Sequence, residues 1–138
     1  MKTVPVEIIT PEKLIIKEEM EYISVPGYEG ELGILPGHAN LLGLLVPGEI
    51  RLKKNGETKY LAISGGFVEI HPDKVEIFAE TAEMAEEIDP ERVRLSVERA
   101  KSQITEGKNL SQARAQMQRD LARMKVIDKI GKRKSNIK

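Results

Sequence analysis

Three arginines supply the residue type that holds an anion, and one aspartate starts the helix beside them. Asp89-Pro90-Glu91-Arg92 lies at the end of a turn-rich stretch, and Arg119 and Arg123 stand four residues apart further on. Asp89-Pro90-Glu91 is a helix start: a capping carboxylate, a proline preset for the first turn, and an acid at the positive end of the helix. If the chain then doubles back at Gly107-Lys108, Arg92 lies about 15 residues before the turn and Arg123 about 15 after it. Arms of equal length set them side by side in an antiparallel pair, with Arg119 one turn away on the same face. Three guanidiniums would then converge near free helix N–H groups, and a triphosphate would neutralise them. Two plainer readings use the same residues. Asp89 would serve only as a cap, and Arg119 and Arg123 as a solvated face or a dock for an acidic partner.

Catalytic chemistry has no carrier. The chain lacks a Gly-x-x-x-x-Gly-Lys-Ser/Thr phosphate loop, a carboxylate pair placed to act as a base, and any cysteine. His38 and His71 are its two histidines and fall in separate turns, so neither a metal site nor a catalytic cofactor is expected.

The elements that position these residues divide at Glu86–Asp89. Residues 1–86 hold 8 Lys+Arg against 15 Asp+Glu, net −7, and residues 87–138 hold 14 against 7, net +7, so the overall balance of zero hides an acidic part joined to a basic one. Before the seam, turn pairs recur at Pro26-Gly27, Pro36-Gly37, Pro47-Gly48, Asn55-Gly56, Gly65-Gly66 and Pro72-Asp73, the rhythm of a compact antiparallel β domain. The intervals read as nine strands, from Val4–Ile9 to Lys74–Ala79, with Phe67, Ile70, Val75, Ile77 and Ala79 carrying the apolar faces of the last two. Asn55-Gly56 suits a tight hairpin, because both residues accept positive φ. After the seam, Val93, Val97, Ala100 and Ile104 form one apolar stripe at helical spacing. Leu110, Ala113, Met117, Leu121, Met124, Ile127 and Ile130 form a second. The expected fold is therefore α+β: an N-terminal antiparallel β-sandwich over 1–86, followed by a C-terminal two-helix antiparallel hairpin over 87–138. Stripes this thin make a marginal hairpin that must lean on the sandwich, on a partner, or on each in turn. Lys132-Arg133-Lys134 reads as a frayed, soluble end.

No apolar run approaches the roughly 20 residues of a membrane span, and no signal-peptide core opens the chain, so a cytoplasmic location without membrane insertion is expected. Nucleic-acid binding is not, since the basic part has no aromatic residues for stacking.

Glu29-Gly30-Glu31-Leu32-Gly33-Ile34-Leu35-Pro36-Gly37-His38-Ala39 and Ile63-Ser64-Gly65-Gly66-Phe67-Val68-Glu69-Ile70 together resemble the epsilon subunit of bacterial rotary F-type ATP synthase, as do the seam and the helical hairpin. The resemblance implies a non-catalytic rotor subunit of a proton- or sodium-translocating complex, peripheral at the cytoplasmic face of the plasma membrane. The sandwich would sit beside the gamma subunit and on the membrane ring of c subunits, with Glu31 and His38 among its contacts. The mobile C-terminal helices would reach the catalytic alpha and beta subunits and restrain hydrolysis. Ile88-Asp89-Pro90-Glu91-Arg92-Val93 further resembles an ATP-binding segment of some members. By that likeness Glu83 and Asp89 would hold the base and ribose side of a regulatory ATP, and Arg92, Arg119 and Arg123 its phosphates, with Ile88 also among the binding residues. Val93 departs from that segment, which has alanine there, and its branched bulk takes room from a nucleotide. Two alternatives stand beside this reading: a structural epsilon subunit that ignores nucleotide, and a free-standing adaptor that binds acidic proteins through its basic helices.

Overall fold

A computed structural model describes the backbone of residues 2–136 and the side chains of residues 2–131; the side chains of Lys132-Arg133-Lys134, expected to form a frayed end, lie outside the described residues. Ten strands come first: β1 Val4–Ile9, β2 Leu14–Met20, β3 Tyr22–Gly27, β4 Gly30–Ile34, β5 Leu41–Leu45, β6 Gly48–Lys54, β7 Glu57–Ile63, β8 Gly66–His71, β9 Lys74–Ala79 and β10 Ala82–Met84. A 3-10 turn at Ala85–Glu87 leads into helices α1, Pro90–Glu106, and α2, Leu110–Asn136. The sheet runs in the order β10-β7-β6-β3-β5-β8-β9-β1-β2, with β4 on β3, and folds over on itself. Every pairing is antiparallel except β1 with β9.

Alternation decides what enters the sandwich. Val4, Val6 and Ile8 of β1, Ile50 and Leu52 of β6, Leu61 and Ile63 of β7, and Val75, Ile77 and Ala79 of β9 point into one core built almost wholly of aliphatic side chains. In β8 the inward pair is Val68 and Ile70. Phe67, expected on that face, has the opposite parity. It lies exposed and stacks on Phe78 with ring centroids 4.9 Å apart.

Two turns follow the sequence signals closely. Asn55 (φ 52°) and Gly56 (φ 77°) close the β6–β7 hairpin between paired Lys54 and Glu57. Gly66 is required for a different reason. At φ 141° a Cβ there would lie 2.0 Å from the Phe78 carbonyl oxygen, so only glycine lets the start of β8 lie against the end of β9 at this point.

The Asp89 side chain accepts the Glu91 N–H at 3.0 Å and caps α1, and Gly107 at φ 71° ends it. A second apolar cluster joins the helices to the outer face of the sheet: Ala62 of β7, Ala85, Ile88, Val93 and Val97, and Val126 and Ile130 of α2. The stripe expected on α2 needs correction. Ala113, Ala122, Val126 and Ile130 are buried, whereas Leu121 and Met124 are exposed. A single straight stripe fails because α2 serves two surfaces in turn, α1 along its first half and the sheet further on.

Gly66→Ala is expected to lower the free energy of urea unfolding by roughly 2–4 kcal/mol, from steric overlap and the positive φ together. A loss under about 1 kcal/mol would show that the β8–β9 pairing yields easily at this end.

Candidate functional site: an arginine-lined cleft at the helix–sheet junction

A cleft of about 510 Å³ opens where β10, the 3-10 turn and the two helices meet, lined in part by Glu83, Ile88, Asp89, Arg92 and Arg123. Strand β10 is responsible for placing Glu83. It pairs with the end of β7, Glu83 opposite Ala62, and so brings a carboxylate to the edge over which α2 passes. This three-residue strand escaped the sequence reading because Ala-Glu-Met has no alternation long enough to detect.

Asp89 enters the cleft as the cap of α1, so the plain and the functional roles of that residue coincide. Ile88 is buried and braces the helical cluster. Val93 is buried in the same cluster while it also lines the cleft, so its added bulk is core packing as well as a wall. Arg92 is exposed and makes no ion pair among the described residues.

Arg123 is held on two sides. Its Nε donates to Glu83 at 2.6 Å and its Nη1 to Asp120 at 2.9 Å. Burial acts to lower the Arg123 pKa, but hydrogen bonds and charge from Glu83 and Asp120 outweigh it and hold the guanidinium above its ordinary value. Asp120 is fully buried and also accepts from Ser96 Oγ at 2.5 Å and from Gln116 Nε2 at 3.1 Å. The expected self-repelling trio of arginines is therefore not what forms. Carboxylates already neutralise Arg123, and Arg119 donates to Gln116 Oε1 at 2.7 Å and lines a neighbouring groove instead.

Five polar residues of the cleft are not among the sequence-predicted ones: Glu87, Ser96, Arg99, Gln116 and Asp120. A signal for the last four exists. Arg92, Ser96 and Arg99 recur at spacings of four and three along α1, and Gln116, Asp120 and Arg123 do the same along α2. The Ser96–Asp120 bond fixes these stripes opposite each other, with Arg92 toward Arg123 and Arg99 toward Gln116. Arg99, exposed and without an ion pair among the described residues, takes the place foreseen for Arg119. The guanidiniums of Arg92 and Arg99 stand two helical turns apart, about 10 Å along α1.

The residues expected to meet partners lie elsewhere. Glu31, on β4, accepts from Ser24 Oγ and from Arg51 Nη2 and remains substantially exposed. His38 sits in the loop after β4, its Nδ1 2.9 Å from the Ala39 carbonyl oxygen. His71, on β8, has Nε2 3.6 Å from Glu69 and 3.9 Å from Glu76.

Residues 3–85 match the family described as ATP synthase, Delta/Epsilon chain, beta-sandwich domain. The chain is 44% identical over 128 residues to an ATP synthase epsilon chain of Nitratidesulfovibrio vulgaris, covering 91% of this chain and 96% of that one. It is 41% identical over 129 residues to an ATP synthase epsilon chain of Bacillus velezensis, covering 91% and 98%. Its fold resembles a chain in the cryo-EM structure of Euglena gracilis mitochondrial ATP synthase, OSCP/F1/c-ring, with TM-score 0.79 and 24% identity over 87% of this chain and 78% of that one.

Arg123→Ala leaves Asp120 buried without its cation, and is expected to destabilise the folded chain by about 2–4 kcal/mol in urea unfolding. Arg92→Ala, at an exposed site, should stay within about 0.5 kcal/mol of the parent. Equal losses would mean that Arg123 is no more embedded than a surface arginine.

Proposed function

The chain belongs to the epsilon-chain family of ATP synthase, a non-catalytic stalk subunit, and we propose that it couples the gamma subunit to the c-subunit ring and restrains ATP hydrolysis through α1 and α2. Residues 1–86 would form the coupling unit and residues 87–138 the regulatory one. An apolar surface favours a protein partner for the sandwich. Leu42 and Leu44, 68% and 69% exposed, share a face of the sheet with Phe67, which pairs with Leu44. Apolar side chains side by side in the open mark an interaction surface, and we assign this one to gamma. Glu31 and His38, on the neighbouring loop and strand, are assigned to the ring. Among the described residues no helix is long and apolar enough to cross a membrane, in keeping with a peripheral seat on the cytoplasmic face.

The cleft supports ATP as a regulatory ligand, and the observation that carries this reading is the pair of unpaired arginines, Arg92 and Arg99, facing it from α1. Arg123, fixed by Glu83 and Asp120, would offer its remaining N–H groups, and Asp89 and Glu83 would lie on the sugar side. Because the cleft has walls from β10, α1 and α2, a ligand bound there requires α2 to be docked. ATP would therefore favour the compact arrangement, and at 100 times its dissociation constant would add roughly 2.7 kcal/mol to it. As in a non-catalytic stalk subunit, binding there would be regulatory and would not lead to hydrolysis.

Calorimetric titration of the isolated protein with ATP should give saturable heat, lost in an Arg92→Ala, Arg99→Ala double variant that keeps its fold. No heat and no thermal stabilisation at millimolar ATP would eliminate the sensor and leave the purely structural subunit. In the assembled complex, removing everything after Glu86 should raise ATP hydrolysis several-fold. Unchanged hydrolysis would eliminate the brake.

A further inference from the structure

The outer face of the sheet beneath α2 presents two carboxylates, one on either side of Ala62. Glu83 of β10 and Glu49 of β6 both pair with Ala62 in register, and antiparallel partners point to the same side. Ala62 packs with Val126 and Ile130, so α2 passes between and over both acids. Their circumstances differ sharply. Glu83 receives a guanidinium donor at 2.6 Å from Arg123 of the helix that covers it. Glu49, with a side chain only 6% exposed, has Oε2 buried and without a hydrogen-bond partner among the described residues. Its Oε1 has Arg51 Nε at 3.5 Å and Lys129 Nζ of α2 at 3.9 Å, both too long for strong hydrogen bonds. Arg51 does not depend on Glu49, since it also donates to Ser24 and Glu31.

A carboxylate oxygen buried without a donor opposes the state that buries it. That state is the docked one, because Lys129 and Lys125 of α2 line the cleft of about 830 Å³ in which Glu49 sits, and lifting the helix returns Glu49 to water. We propose that Glu49 is a release element: it keeps the docked position of α2 metastable, against the tie made by Glu83 and Arg123, so that a modest ligand or partner shifts the balance. This rests on the reading that α2 leaves the sheet, and it assigns the residue that sets how readily it does so.

Native-state hydrogen exchange on the full chain, without nucleotide, tests it. Glu49→Gln and Glu49→Leu are both expected to slow exchange of the α2 amides near Ala122–Ile130 by about tenfold. Lys129→Met, which removes the ammonium 3.9 Å from the buried carboxylate, should speed it. Unchanged or faster exchange in both Glu49 variants would overturn the proposal and make Glu49 neutral or a latch. The brake reading fails separately, through unchanged hydrolysis in the truncated complex.

Discussion

The bond from Arg123 to Glu83 and Asp120 is the constraint on which the helical part depends. It joins three things at one guanidinium: the edge strand of the sandwich, the second helix, and a carboxylate buried between the two helices. Ser96 and Gln116 complete the shell around Asp120, so the register of the helix pair and its position on the sheet are set by the same few atoms. Apolar contact alone would not do this. The shared cluster is small and made of Ala, Val and Ile side chains, which slide past one another at little cost. A buried, fully bonded carboxylate permits one arrangement and penalises its neighbours.

That arrangement also explains the charge asymmetry along the chain. An acidic sandwich meets a basic helical part, and the sheet face under α2 bears Glu83 on one side of Ala62 and Glu49 on the other. Glu83 is bonded to the helix, whereas Glu49 has only long ion pairs at Oε1 and an Oε2 buried without a donor among the described residues, so on the proposal above the surface would both hold α2 and resist it. If Glu49 offsets part of the tie made by Glu83 and Arg123, as proposed, a ligand would have less differential stability to overcome in shifting the helix. The cleft beside Arg123 is where such a ligand would act, through Arg92 and Arg99.

Much of the fold was legible because local chemistry was strong. Asn55-Gly56 and Asp89-Pro90 specify a hairpin and a helix start by backbone preference, independent of anything distant. Local chemistry is silent where tertiary packing decides. Hydrophobicity alone puts Phe67 on an apolar face, but strand parity turns it outward. One continued stripe puts Leu121 and Met124 inward, but α2 changes the surface it faces. The site was legible in part: Glu83, Ile88, Asp89, Arg92 and Arg123 do line one cleft, and the hairpin geometry that opposes Arg92 and Arg123 follows from arm length. What stayed hidden was the neutralisation of Arg123, since Asp120 in sequence looks like any charge on an exposed helix. The matched spacing of Arg92-Ser96-Arg99 and Gln116-Asp120-Arg123 was the signal that would have found it.

On the proposed function, nucleotide in the cleft would hold α2 on the sheet and so withhold it from the rest of the complex. The most direct test is a distance distribution between probes on β6 and on α2, near Lys54 and Lys125, in the assembled complex with and without millimolar ATP. Two populations are expected, with ATP enriching the short distance. A single distribution that ATP leaves unchanged would contradict it.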